Sequence, residues 1–171
     1  MKDPADEFAL IADDIAERVQ AAGLRVAAAE SLTSGAIANA LGAGPDASEW
    51  FQGGVVAYAE TVKRDVLGVT AESVTSTQCA RELATGVARL LDADVAVAVT
   101  GVGGPESEGD EPAGSVYAAV LVRGDIRDAH FQFDGGDPSI VVHQTVRAAL
   151  VLLRDALPPD SHHGSTHPGS P

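Results

Sequence analysis

The chain has 171 residues, 45% of them hydrophobic but only 4% aromatic, and a formal net charge of −14. That length suits one domain whose core is built largely from Ala, Val and Leu. The charge argues against non-specific nucleic-acid binding, which needs clustered Lys and Arg, and no apolar run approaches the length of a membrane span. The opening Met1-Lys2-Asp3-Pro4 lacks the charged and apolar regions of a signal peptide. Cys79 is alone, which excludes an intrachain disulfide. A soluble cytoplasmic protein is therefore expected. An anionic substrate would need local cations or backbone N–H dipoles to hold it.

Asp3 and Pro4 read as the cap and first position of a helix. Phe8, Ile11, Ala12, Ile15, Val19 and Ala22 then recur at helical spacing before Gly23. Residues 24–29 predict a strand and 33–42 a helix. After a loop at 42–46, residues 53–58 predict a second strand and 60–67 a short helix carrying Lys63. Ser76 is placed to cap a long helix over 77–92, with Ala80, Leu83, Ala84, Val87, Leu90 and Leu91 on one face. Val95-Ala96-Val97-Ala98-Val99 reads as a strand buried on both faces. A Gly- and acid-rich loop covers 101–113. Residues 115–122 and 128–133 predict a hairpin turning near Gly124-Asp125, and 138–156 a last helix. The polar tail from Pro158 has no apolar face, so the reading is one domain over 1–157 and a disordered tail over 158–171. Helices alternating with strands, plus one hairpin, predict a three-layer α/β/α sandwich with a mixed, mostly parallel sheet.

Ser31 stands where the first strand hands over to a helix, the edge at which parallel α/β sheets bind ligands. Unpaired N–H groups there suit a nucleophile, an oxyanion or a phosphate. The same segment also reads as ordinary helix capping by Ser31, Thr33 or Ser34. A serine nucleophile needs a base. No G-x-S-x-G elbow is present, and His130 lies in a strand, His143 in a helix, and His162, His163 and His167 in the tail. A Ser–Lys pair is open instead. The chain has two lysines, Lys2 and Lys63, and Lys63 lies just beyond the second strand. Lowering a lysine from about 10.4 to about 7–8 is worth roughly 4 kcal/mol and requires burial or a positive neighbour. Tyr58 is placed to orient the pair or relay a proton. In the loop "TGVGGPESEGDEPAGSV" the glycines do not form a G-x-G-x-x-G fingerprint. Thr100, Gly101, Gly103 and Gly104 still permit close backbone approach to a ligand. Glu106, Glu108, Asp110 and Glu111 read either as a hard-cation site or as a solvated acidic loop. The tail histidines read either as metal ligands or as a plain polar tail.

Three segments, "AAAESLTSG", "WFQGGVVAYAETVKRDVLGV" and "TGVGGPESEGDEPAGSVYAAV", together resemble the C-terminal domain of the CinA family. That family includes the stand-alone PncC-type nicotinamide mononucleotide (NMN) deamidases. The resemblance covers roughly residues 7–155. It implies a three-layer α/β/α domain that hydrolyses the carboxamide of NMN to nicotinate mononucleotide and ammonia. The implied mechanism is a Ser–Lys one with neither cofactor nor metal. Ser31 matches the nucleophile of an E-S-x-T-G-G motif, and Tyr58 and Lys63 match a Y-x-x-x-x-K arrangement. Glu30, Thr33, Ser34, Gly35, Thr100, Gly101, Gly103, Gly104 and Arg147 are the candidate substrate contacts. The expected partner is a small nucleotide or amide, with no nucleic acid and no membrane; a homo-oligomer is left open.

The sequence also departs from the family pattern. Ser34 stands at a usual Gly, Glu60 at a usual Asn, and Glu111 at a usual Lys before Pro112. After "FDGGD" two usual arginines are absent, Arg147 lying one turn beyond His143. Glu111 is therefore expected to face the phosphate of NMN, with Glu106, Glu108 and Asp110 nearby, and to weaken its binding. A CinA-like binding or regulatory protein without turnover stands as the alternative to an amidohydrolase.

Overall fold

The computed structural model describes residues 4–159. The Asp3 cap, the tail histidines and nearly all of the segment expected to be disordered lie outside the described residues. In chain order the elements are α1 (Pro4–Ala22), β1 (Val26–Glu30), α2 (Ala36–Gly42), α3 (Ala47–Trp50), β2 (Phe51–Val56) and α4 (Glu60–Asp65). They continue with α5 (Thr77–Leu90), β3 (Val95–Gly101), β4 (Ser115–Val122), β5 (Asp125–Gln132) and α6 (Pro138–Ala156).

The strands form one mixed sheet in the order β2-β1-β3-β4-β5. β1 pairs parallel with β2 and β3, while β4 and β5 continue antiparallel. Alternation along the central strands divides the core. Val26, Ala28, Val95, Val97, Val99, Ala118 and Val120 meet α1, α2 and α6 on one face. Ala27, Ala29, Ala96, Ala98 and Ala119 meet α5 on the other, through Cys79, Ala80, Leu83, Ala84 and Val87. This is the expected three-layer α/β/α sandwich. Covering on both faces explains why β3 reads as an unbroken apolar run.

Local chemistry moved several boundaries. β1 starts two residues late because the Arg25 N–H is taken by the Asp94 carboxylate at 2.9 Å. α2 starts at Ala36 because residues 31–34 form a turn in which Ser34 takes a left-handed φ of 49°. The one-turn α3, absent from the expected elements, is where Trp50 is buried, its indole N–H donating to the Pro45 carbonyl at 2.9 Å. β5 begins at Asp125 rather than 128 because Arg123 and Gly124 both take positive φ and close a two-residue hairpin turn. Ser76 caps α5 as expected, its hydroxyl accepting from the Cys79 N–H at 3.1 Å.

Candidate active site

The segment after β1 is organised by Glu30, which is 1% exposed. Its carboxylate accepts the Thr33 hydroxyl at 2.5 Å and the N–H groups of Gly35, Ile37 and Ala38 at 3.1, 3.0 and 2.8 Å. A buried carboxylate at the start of α2 is held by the donors a helix leaves unpaired and by the positive end of its dipole. The expected substrate contacts are therefore engaged internally at the Glu30 carboxylate, the Thr33 hydroxyl and the Gly35 N–H. Glu30 and Thr33 satisfy each other, the Gly35 N–H is consumed, and Ser34 faces solvent. None of the four lines the adjacent cavity. The α2 amides expected to hold an oxyanion or phosphate are likewise taken. Two N–H groups just ahead of them, on Leu32 and Thr33, have no protein acceptor among the described residues.

Glu30 thereby fixes the turn that presents Ser31. Lys63 arrives from α4, and its Nζ lies 3.0 Å from Ser31 Oγ and donates to the Tyr58 carbonyl at 3.0 Å. Lys63 is 3% exposed and Ser31 8%. Burial pushes the Lys63 pKa below its ordinary value, opposed by the nearby Cys79, Glu108 and Glu60. Tyr58 meets this pair through its backbone carbonyl; its side chain is 69% exposed at the cavity's edge. A neutral Lys63 can accept the Ser31 proton at this distance. Cys79 is fully buried, and burial pushes its thiol up to about 11, so it is a neutral thiol near pH 7.

The pair opens into a cavity of about 660 Å³. Ser31, Leu32 and Lys63 meet Thr100 and Gly101 from the end of β3, Val74 and Thr75 from the segment before α5, and Pro138 and Val142 from α6. The loop from Val102 to Glu108 closes another side, and Glu60 borders it. The Thr100 hydroxyl donates to the Val74 carbonyl at 2.6 Å, joining two of these walls. Gly101 has a φ of 149°, and a Cβ there would meet the Ser115 carbonyl oxygen at 2.3 Å, so no other residue fits. Gly103 and Gly104 line the cavity as expected. Leu32, Val74, Thr75, Pro138 and Val142 were missed. Leu32 was legible as the neighbour of Ser31, but nothing local marks the others, which arrive through the fold.

Two more expectations are corrected. Arg147 does not line the cavity; its Nε donates to the Glu7 carboxylate at 2.5 Å on the α1 side. Glu111 also faces away, accepting the Ser115 and Tyr117 hydroxyls at 2.9 and 3.0 Å. The acidic loop is thus split. Glu106 and Glu108 line the cavity, and their carboxylates have no hydrogen-bond or ion-pair partner among the described residues. Lys63 is the one cationic side chain in the lining. Glu60 is paired with Arg64 at 2.7 Å. Among the described residues, no group of three His, Cys, Asp or Glu side chains is placed to hold a metal, and no helix is long and apolar enough to cross a membrane.

The family model of the CinA C-terminal domain matches residues 9–157. A Geobacillus kaustophilus protein described as competence-damage inducible is 38% identical over 149 residues, covering 84% of this chain and 36% of its own length. Protein YdeJ of Escherichia coli K12 is 37% identical over 149 residues, covering 84% of this chain and 86% of its own. The chain thus spans about a third of the Geobacillus protein and most of YdeJ. The crystal structure of competence damage-inducible protein A from Klebsiella pneumoniae superposes with a TM-score of 0.83 at 37% identity, covering 87% of this chain and 96% of that one. Competence/damage inducible protein CihA from Agrobacterium tumefaciens gives 0.80 at 34%, covering 86% and 93%. With the family's sequence model spanning α1 to α6 and its solved members sharing the fold, this chain belongs to the CinA C-terminal domain family.

Proposed function

We propose that the cavity hydrolyses a linear carboxamide, with Ser31 as nucleophile and Lys63 as its base. The carrying observation is the 3.0 Å approach of Lys63 Nζ to Ser31 Oγ, with both side chains nine-tenths or more buried. Desolvation favours neutral Lys63, which takes the Ser31 proton as Oγ attacks the amide carbon. The Tyr58 carbonyl keeps Nζ in place. The N–H groups of Leu32 and Thr33 are the available donors for the oxyanion. The C–N bond then breaks, Lys63 returns its proton to the leaving nitrogen, and ammonia departs. Water, deprotonated by Lys63, releases the acid from Ser31.

NMN is the first substrate to test, because the family resemblance implies it. The wall chemistry argues for a narrower preference. Two unpaired carboxylates attract a pyridinium ring and repel a phosphate, and Arg147 lies elsewhere. Nicotinamide riboside, which keeps the pyridinium carboxamide without the phosphate, is therefore expected to be preferred over NMN. The same carboxylates support a second reading, a binding or regulatory domain that holds a pyridinium ligand without turnover. Ammonia release from NMN, nicotinamide riboside and a panel of neutral amides, with Ser31→Ala as control, decides between them. Release that survives Ser31→Ala overturns the mechanism. Ligand binding without release favours the second reading.

A further inference from the structure

Glu111 sits outside the cavity, yet it is tied to the loop that forms one wall. Its backbone exchanges two hydrogen bonds with Glu108, N–H to carbonyl in each direction at 3.0 Å, so residues 108–111 form a tight turn. Its carboxylate is held on the α5 face of the sheet. One oxygen, Oε2, accepts both the Ser115 and the Tyr117 hydroxyls, at 2.9 and 3.0 Å. Ser115 is 1% exposed. His130 Nε2 lies 3.0 Å from Ser115 Oγ. Because the Ser115 proton points to Glu111, the proton in that contact belongs to Nε2, and His130 donates. The His130 ring also stacks on Tyr117, with centroids 4.3 Å apart and planes 6° from parallel. Four side chains from the loop, β4 and β5 therefore join in a directed chain, His130 to Ser115 to Glu111, with Tyr117 as second donor.

We propose that Glu111 is a positioning residue for the cavity: its carboxylate latches the 102–113 loop to β4 and so holds Glu108 among the lining residues with Lys63. The proposal rests on this cavity being the functional site, not on its being an amidase. The loop is rich in acidic and glycine residues, and Val102 is its one buried side chain. Beyond the paired backbone of Val102 with Ser115 and Gly114, two side-chain contacts tie the loop to the sheet: Gln132 Nε2 on β5 donates to the Ala113 carbonyl at 2.9 Å, and the Glu111 latch, nearer to Glu108 in the chain, reaches β4. Two O–H donors converging on one oxygen tie that segment to β4, an arrangement that a neutral carbonyl oxygen can also accept.

The two-lysine composition makes a direct test practical. In protein labelled with ¹³C at lysine Cε, only Lys2 and Lys63 give signals, and the Lys63 titration can be followed by NMR. Glu108 favours the charged form of Lys63. Glu111→Ala is therefore expected to lower the Lys63 midpoint, as Glu108→Gln does. The double variant should fall no further than Glu108→Gln alone. Hydrogen exchange of the Glu108 and Glu111 amides should rise about tenfold or more in Glu111→Ala, while β1 and β3 amides stay protected. Glu111→Gln, whose single carbonyl oxygen can accept both hydroxyls, should restore both readouts. An unchanged Lys63 titration in Glu111→Ala would falsify the positioning role. Failure of Glu111→Gln to restore would also overturn it, assigning the effect to charge rather than to the latch. Neither readout needs turnover, so loss of the amidase reading would appear separately, as absence of ammonia release by the wild-type protein.

Discussion

Lys63 Nζ stands 3.0 Å from Ser31 Oγ although 32 residues separate them in the chain. The parallel pairing of β1 with β2 makes this possible, because it brings the C-terminal ends of both strands to the same edge of the sheet. Glu30 pairs with Val56 in that register, so the residues that follow each strand enter one site. Ser31→Ala and Lys63→Ala are each expected to lower amide turnover roughly a thousandfold or more, since a nucleophile and its base act as a unit. Single-turnover ammonia release measures this. Activity within tenfold of wild type in either variant contradicts the pairing.

Lys63 also gives a pH dependence with a definite sign. Burial lowers its pKa in the folded protein, while the unfolded chain keeps the ordinary lysine value. Between those two values the unfolded chain binds the extra proton, so stability rises with pH across that window. Turnover should rise over a lower range, with its midpoint at the lowered Lys63 pKa, because the proposed base is the neutral amine. Lys63→Met should abolish turnover and raise stability near neutral pH by about 1 kcal/mol or more, since it removes a buried cation. That gain should shrink at alkaline pH. Urea titrations at several pH values test it; a gain independent of pH would assign the effect to packing alone.

Glu30 is expected to be a stability residue. Glu30→Ala leaves the N–H groups of Gly35, Ile37 and Ala38 without their acceptor and opens a cavity, at a cost of roughly 3 kcal/mol or more. Chemical denaturation should show this as a lower midpoint. Glu30→Gln keeps a carbonyl acceptor and should lose less. Equal stability of Glu30→Ala and wild type would refute the role.

At Ser34 the expected change is favourable. Its φ of 49° lies in the left-handed region, where a residue with a Cβ is strained and glycine is free. Ser34→Gly should stabilise by about 0.5–1 kcal/mol, the relief of strain outweighing the greater freedom of glycine in the unfolded chain. A lower melting temperature in that variant would show that the hydroxyl contributes more than the strain costs.

The cavity wall predicts a charge preference. Glu106→Gln with Glu108→Gln should strengthen NMN binding by about tenfold at low ionic strength, and less at high salt as screening removes the repulsion. The same double variant should weaken nicotinamide riboside. Calorimetric titration of both ligands at two salt concentrations gives the comparison. An equal change for both ligands would mean that the carboxylates act on the loop rather than on ligand charge. Glu111→Lys, which places the family's usual residue there, is a poor version of this test because Glu111 faces Ser115 and Tyr117.

Much of the fold was readable from pattern because burial imposes it residue by residue. The unbroken apolar run of β3 announces a strand covered on both faces, and Ser76 announces the start of α5 through local capping chemistry. The proximity of Ser31 and Lys63 was legible through their strand-to-helix placement and the family motifs, whereas Tyr58 meets the pair only through its backbone carbonyl. The uses of Glu30, Arg147 and Glu111 were not. Each carries a charge that the sequence places near a substrate, but its partner depends on which way the side chain leaves its element and what the fold brings there. Glu30 turns inward to the amides of α2, Arg147 reaches Glu7 on α1, and Glu111 reaches Ser115 and Tyr117 on β4. Periodicity places a residue on a strand, a helix or a loop. Only the packed structure decides whether a charged group reaches the cavity or is consumed by a hydrogen bond behind it.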